Sequence, residues 1–266
     1  MSENRARFAQ NFLRNPSLVA SLLRQSSLCG SDLVLEIGPG EGVLTDPLSK
    51  IVRRVIAVEI DPQLTRKLRE RFPLGRSNVE VVCGDFAGFI IPAEPCKVFA
   101  NIPFNQTASI LRRVFASPQI SEAYLLLQRE AAQKYSGVPR EFEVSVLAKP
   151  FYRFKTVHCF SRTDFDPVPN VDSVMLRMVR LQPSLIPSTE DLLYRGFVRY
   201  GFRSTRKNLR LAYRKVFTFP QWKRLSRDLQ FHREATASEL TFEQWLGIFR
   251  YFVSGVSHDK RQSVSH

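Results

Sequence analysis

A chain of 266 residues that is 44% hydrophobic can bury one large core, or one core and a smaller satellite domain, which excludes a disordered or fibrous protein. Its formal net charge of +14 and pI near 10.1 imply a polyanionic partner, either nucleic acid or an anionic surface. Cys29, Cys83, Cys96 and Cys159 show no CxxC spacing and do not interleave with the four histidines, so no metal site or disulfide framework is expected and a reducing cytoplasm suits the chain.

Met1 to Pro16 is polar, holds three arginines and reads as a basic arm whose distinctive feature is Gln10-Asn11-Phe12-Leu13. It has no apolar leader, and no later apolar run approaches 18 residues, so a soluble cytoplasmic protein without a membrane segment is expected. Leu18 to Leu28 has helical apolar spacing. Asp32 to Ile37 is a buried-type strand that stops at Gly38-Pro39-Gly40-Glu41-Gly42, before a helical pattern from Val43 to Ile51. Strand, glycine turn and helix open a nucleotide-binding α/β unit. The spacing G-x-G-x-G, in place of G-x-G-x-x-G, disfavours NAD or FAD.

The next strand, Val55 to Val58, ends at Glu59, 19 residues beyond Gly40, where an acid can accept hydrogen bonds from both hydroxyls of a ribose. A helix over Pro62 to Phe72 and a third strand, Val79 to Val82, follow. That strand runs into Gly84-Asp85-Phe86, placing an acid for the amino group of an adenine with an aromatic ring beside it. The fourth strand leads through Val98-Phe99-Ala100 into Asn101-Ile102-Pro103-Phe104. The Asn101 amide oxygen and the Ile102 carbonyl offer acceptors for an exocyclic amino group, Pro103 fixes the turn, and Phe104 offers a stacking face. The plain alternative makes Asn101 a helix cap and Pro103 and Phe104 ordinary turn and core residues. Against it stands the order of the four features, at the carboxyl ends of consecutive parallel strands, the edge where open α/β sheets bind ligands.

Helices over Thr107 to Phe115 and Arg129 to Tyr135 flank a strand at Ala123 to Leu127. A short helix at Val144 to Ala148, a strand from Phe154 to Phe160, an irregular Pro-bearing loop from Phe165 to Ser173 and a last strand from Val174 to Leu181 complete a catalytic domain over 1–182. Prolines at 183 and 187 mark a linker. Beyond it, helices are expected at Thr189 to Gly201, Thr205 to Phe217, Pro220 to Leu229 and Thr241 to Phe252, with Ser188, Ser204 and Ser238 or Thr241 as N-caps and a frayed tail from Ser254. Between Arg195 and Arg233 twelve lysines and arginines face one acid, Asp228, so this second domain, 183–266, is read as RNA-binding. Arg206, Lys207, Arg210, Arg214 and Lys215 are its candidate contacts.

Taken together, Gln-Asn-Phe-Leu at 10–13, Glu-Ile-Gly-Pro-Gly-Glu-Gly at 36–42, Glu59, Gly84-Asp85, Asn-Ile-Pro-Phe at 101–104 and Phe-x-Pro-x-Pro-x-Val-Asp-Ser at 165–173 resemble the rRNA adenine N6-methyltransferases that include the Erm and KsgA enzymes. The resemblance covers Arg7 to Leu181; the helical part shares only size, helicity and basicity with the family. It implies a Rossmann-like, S-adenosylmethionine-dependent enzyme acting as a monomer on rRNA. Asn11 and Leu13 would close over the cofactor, Gly38 and Gly40 would approach its methionine part, Glu59 would hold the ribose and Asp85 the adenine, with Phe86 beside it. Asn101 would serve cofactor and target, and Phe104 and Phe165 would stack on opposite faces of the target base.

Asn-Ile-Pro-Phe is closer to Erm than to the Asn-Leu-Pro-Tyr usual in KsgA, which implies 23S rRNA as substrate and macrolide, lincosamide and streptogramin B resistance as the consequence. The Gln-Thr after Asn105 departs from both patterns. Alternatives are a KsgA-like 16S rRNA adenine dimethyltransferase, a DNA adenine methyltransferase, disfavoured because Ile102 stands where such enzymes carry Pro, and a non-catalytic nucleic-acid-binding relative.

Overall fold

The computed structural model describes residues 12–13, 15–262 and 264. The chain divides into a sheet unit, residues up to 132 with 154–180, and a helical unit, residues 133–153 with 181–266. The single boundary expected at 182/183 therefore misses one excursion: 133–153 packs with the helices, where Val146 joins their core.

In the sheet unit β1 (Phe12–Leu13) precedes α1 (Pro16–Arg24), which begins where Asn15 accepts from the Ser17 and Leu18 amides and Pro16 opens the first turn. β2 (Leu33–Ile37), α2 (Thr45–Ser49), β3 (Arg54–Glu59), α3 (Pro62–Arg71), β4 (Val79–Cys83) and β5 (Cys96–Asn101) follow. Next come α4 (Thr107–Ala116), β6 (Ile120–Gln128), α5 (Arg129–Ser136), which crosses the boundary, α6 (Glu143–Ala148), which belongs to the helical unit, and then β7 (Tyr152–Cys159), β8 (Phe165–Asp166) and β9 (Ser173–Arg180). Seven strands form one sheet in the order β4-β3-β2-β5-β6-β9-β7. β2 is parallel to β3 and β5, β3 to β4, and β5 to β6, while β9 runs antiparallel to β6. This is the expected Rossmann-like α/β fold with a helical second part.

Every residue of β2 is buried, the signature of a strand covered on both faces. On one face Val34, Val55, Ala57, Val81 and Phe99 pack with Val19, Leu22 and Leu23 of α1, Leu48 of α2 and Leu68 of α3. From β2 the chain winds outward through β3 and β4, then returns to β5 on the other side of β2. That reversal is the topological switch point where doubly wound sheets open a crevice.

The helix expected over 43–51 shrinks to α2, because Gly42 takes a positive φ of 84° and the turn runs on to Leu44. The loop expected from Phe165 is regular at its start: β8 pairs antiparallel with β1, Phe12 opposite Asp166 and Leu13 opposite Phe165.

The helical unit adds α7 (Asp191–Arg203), α8 (Leu209–Ala212), α9 (Phe219–Asp228), α10 (Phe242–Gly255) and α11 (His258–Gln262). Its core is aromatic, with Phe197 against Tyr213 and Phe252, each at 4.8 Å, and Tyr194 against Phe249 at 4.9 Å. The buried polar tips are satisfied: Tyr213 donates to the Phe197 carbonyl (2.6 Å) and Trp245 to that of Ala237 (3.0 Å). Gly201 lets these rings close on α7, since a Cβ there would lie 2.6 Å from the Trp245 ring.

The helix expected over 205–217 is only α8. Asn208 is extended and caps the Leu211 amide, and the Leu209 amide donates to Ala235, so tertiary pairing wins over helix propensity. Ser204 ends α7 and caps no helix, whereas Thr241 caps α10 through a box with Gln244. The tail expected to fray carries α11 and the buried Val264.

Candidate active site

Gly38 and Gly40, with φ of 66° and 60°, turn the chain sharply beyond β2, a conformation that penalises any side chain. The Gly38 amide donates to the Val58 carbonyl (3.0 Å), fastening the turn to the neighbouring strand. Glu59, at the tip of β3 and fully buried, accepts from the Gly40 amide at 2.9 Å and from the Asp61 amide at 3.0 Å. Burial raises its pKa, and the N–H bonds from Asp61 and Gly40 oppose the rise. A carboxylate offers about four acceptor positions, so roughly two remain for the hydroxyls of a ribose.

Asp85 is exposed beyond β4, and its Oδ1 accepts from the Ala87 amide at 2.9 Å. Phe86 is buried and stacks with Phe89. Asn101 ends β5, and its carbonyl oxygen is 3.9 Å from where a Gly38 Cβ would sit, so the glycine turn and the Asn101 strand end are neighbours across the switch point. The Ile102 amide donates to the Leu126 carbonyl (3.2 Å), fixing the backbone just beyond the strand. Pro103 is buried and accepts from the Gln106 amide (2.8 Å), closing the 3-10 turn Phe104–Gln106. A narrow crevice of about 20 Å³ is lined by Gly38, Glu59, Asp85, Phe86, Pro103 and Gln106.

Of the sequence candidates, Gly38, Glu59, Asp85, Phe86 and Pro103 therefore line one crevice, with Asn101 and Ile102 adjoining in the chain. Phe165 is placed differently. It is 1% exposed, lies 5.4 Å from the Phe160 ring and belongs to the sheet unit's core, so it leaves no open face for a base. Its pairing with Leu13 turns it inward, and Leu13 is likewise a core residue. Asn11 lies outside the described residues, as does the side chain of Phe104. The five basic candidates all fall in the helical unit.

Sequence reading passed over Glu36. Burial pushes its carboxyl up to about 8, and the nearby Glu59 charge adds to the rise. Neither Glu36 oxygen has a hydrogen-bond partner among the described residues, and the Thr45 hydroxyl has none either. An acid inside the run Leu-Val-Leu-Glu-Ile was the available signal, because a buried charge is costly unless something compensates it. Glu59 and Asp85, both in the crevice lining, suit hydroxyl and amino donors. The residues present thus fit S-adenosylmethionine, whose adenosine carries those donors. No cluster of three or more metal-ligating side chains occurs among the described residues.

Residues 1–254 match the family model described as ribosomal RNA adenine dimethylase. An rRNA adenine N-6-methyltransferase of Streptomyces fradiae is 32% identical over 92% of this chain and 78% of its own length. One of Corynebacterium diphtheriae is 35% identical over 73% and 75%. A ribosomal RNA small subunit methyltransferase A of Synechococcus is 33% identical over 92% and 91%. Among solved structures, the 23S rRNA methyltransferase ErmE superposes with a TM-score of 0.85 at 30% identity, covering 91% of this chain and all of that one. With the crevice, its acids and the Asn101 strand end in the matched region, the chain belongs to the ribosomal RNA adenine dimethylase family and is an S-adenosylmethionine-dependent rRNA adenine methyltransferase.

Proposed function

We propose that this chain methylates N6 of one adenine in 23S rRNA and thereby confers resistance to macrolides, lincosamides and streptogramin B. The observation that carries the choice of 23S rRNA is the likeness to ErmE, a 23S rRNA methyltransferase, over the whole of that chain. The Asn101-Ile102-Pro103-Phe104 sequence, nearer to Erm than to KsgA, points the same way.

S-adenosylmethionine, when bound, supplies an electrophilic methyl group on a sulfonium. Glu59 would hold the ribose hydroxyls, Asp85 the adenine amino group and Phe86 the flank of the ring, and the Gly38–Gly40 turn would let backbone approach the methionine part. The target adenine leaves its stack to reach the crevice. Its N6 lone pair is delocalised into the ring and is a poor nucleophile. The Asn101 amide oxygen and the Ile102 carbonyl accept the two amino hydrogens, which favours a pyramidal nitrogen with its lone pair free to attack. No strong base is needed, because an N6 proton becomes acidic only as the new bond to carbon forms and the carbon's bond to the sulfonium sulfur breaks, and that proton then leaves to water. Alignment is the main source of rate, and well-aligned groups gain on the order of 7 to 11 kcal/mol. Phe104 stacks on the everted base, and with Phe165 in the core one aromatic face is assigned in place of two.

Primer extension on rRNA from cells with and without the protein tests the reading. A new stop at one large-subunit adenine is expected. A stop confined to the small-subunit rRNA would replace the reading with the KsgA-like one, which the Synechococcus relative supports.

A further inference from the structure

After Asn101-Ile102-Pro103-Phe104 the chain runs on as Asn105-Gln106-Thr107, and it is at this Gln-Thr that it leaves the Erm and KsgA patterns. Gln106 closes the 3-10 turn Phe104–Gln106 and stands at the N-cap of α4. Its backbone is occupied on both sides: the amide donates to the Pro103 carbonyl at 2.8 Å, and the carbonyl accepts from the Ser109 hydroxyl at 2.8 Å. Its side chain is not a cap. N-caps favour Ser, Thr, Asp and Asn, whose short side chains reach the free amides of the first turn, and the Gln106 side chain bonds none of them. The residue is half-buried and lines the crevice with Glu59, Asp85 and Phe86, and its carboxamide makes no hydrogen bond among the described residues.

What that carboxamide adds to the crevice is chemical. Glu59 and Asp85, as carboxylates, accept hydrogen bonds and donate none. Among the described lining residues, Gln106 alone carries side-chain N–H donors. An adenosine presents groups of both kinds: hydroxyls and an amino group that donate, and the ring nitrogens N1, N3 and N7, which only accept. The carboxylates serve the first kind and repel the lone pairs of the second. A carboxamide serves the second, as where Asn or Gln pairs with N6 and N7 of an adenine in DNA. Sheet order sets β3 and β2 between β4 and β5, so Asp85 and Gln106 come to the crevice from strand ends on either side of it.

We propose that Gln106 is a cofactor-reading residue, whose carboxamide N–H donates to a ring nitrogen of the S-adenosylmethionine adenine while Asp85 accepts from the exocyclic amino group. The proposal rests on the S-adenosylmethionine-dependent reading and not on the choice of 23S rRNA. The target base is an adenine too; Gln106 is assigned to the cofactor because the crevice it lines is that of Glu59, Asp85 and Phe86.

The test is calorimetry on the full chain without RNA. The ligands are S-adenosylhomocysteine, which keeps the adenosine and lacks the sulfonium charge, and its 1-deaza, 3-deaza and 7-deaza analogues, each with C–H in place of one ring nitrogen. The parent should bind one of the three analogues about 2- to 12-fold more weakly, the worth of one neutral hydrogen bond. Gln106→Met, of similar length and without a donor, should weaken S-adenosylhomocysteine by the same factor and keep the parent's melting temperature. It should also bind that analogue as well as it binds S-adenosylhomocysteine, which is the coupling a direct contact requires. Gln106→Glu keeps an acceptor oxygen and loses the donor; it should bind no better than Gln106→Met, and it completes the cycle if the Met variant melts early. Unchanged S-adenosylhomocysteine affinity in Gln106→Met overturns the proposal, as does an analogue penalty that persists in full in both variants. A Gln106→Glu variant as tight as the parent overturns it as well, because the carboxamide would then be an acceptor. So does a Gln106→Met loss confined to rRNA affinity or methyl transfer, which would give the residue to the target base. A parent that shows the coupling yet methylates no 23S rRNA supports the contact and fails the 23S reading alone.

Discussion

The two units present opposite chemistry. The sheet edge gathers carboxyls, Glu36, Glu59 and Asp85, around a glycine turn, and the first two are fully buried. The helical unit gathers guanidinium and ammonium groups, among them those of Arg206, Arg214 and Lys215, on an exposed cleft. Glu59, buried and bonded to the Gly40 and Asp61 amides, and the exposed Asp85 offer fixed acceptors to a small ligand that carries donors. Exposed cations supply affinity for a polyanion without reading its sequence. Chemistry and substrate grip should therefore be separable by mutation.

The largest separation is expected from Asn101→Ala. Losing the acceptor for the target amino group should lower turnover about 10²- to 10³-fold, by analogy with removal of a single transition-state hydrogen bond, while rRNA affinity changes less than threefold. Loss of RNA binding in step with turnover would break the comparison.

Next in size is a pH effect confined to the sheet unit. The Glu36 carboxyl stands near 8 in the folded protein against 4.5 for the ordinary group, so the folded state holds its proton where the unfolded state has lost it. That stabilisation is complete below pH 4.5 and is lost as pH rises toward 8, on the order of 3 kcal/mol or more over the interval. Glu36→Gln should remove the slope, measured by urea denaturation at pH 5 and pH 8, whereas parallel curves for parent and variant would contradict the assignment. The helical unit offers the contrast: its buried Glu141 is paired with Lys149 and accepts from the Ser145 hydroxyl.

Phe104→Ala should cut turnover by about 5- to 150-fold with S-adenosylmethionine affinity within twofold of the parent, and unchanged turnover would remove Phe104 from the mechanism. Glu59→Gln should weaken S-adenosylmethionine by about tenfold in calorimetry and leave rRNA affinity alone. The smallest effect belongs to Arg210→Ala, less than threefold on rRNA affinity, because Glu234 already holds that guanidinium. A larger loss would mean that the ion pair opens for RNA.

Legibility in the sequence followed the same division. The sheet edge was readable because each feature is local: a glycine turn, an acid closing a strand, Asn-Ile-Pro-Phe after a buried run. Glu36 was missed for want of weighing one acid inside that apolar strand. Phe165 was misplaced because a two-residue pairing with Leu13, 152 residues earlier in sequence, turns it into the core. In the helical unit composition revealed the charge but not the cleft. The cleft exists because α7 stops at Arg203 and the chain does not resume as a helix until Leu209, and that break is set by Asn208 and Leu209 meeting Glu234 and Ala235. No periodicity reports such a contact.

The central claim, that the crevice at the β2, β3 and β5 ends delivers a methyl group to adenine N6, is tested most directly by transfer of labelled methyl from S-adenosylmethionine to purified rRNA, followed by digestion to nucleosides. Label in N6-methylated adenosine, present with the parent and lost with Asn101→Ala, is the predicted result. Label in another nucleoside, or undiminished label with the variant, would contradict it.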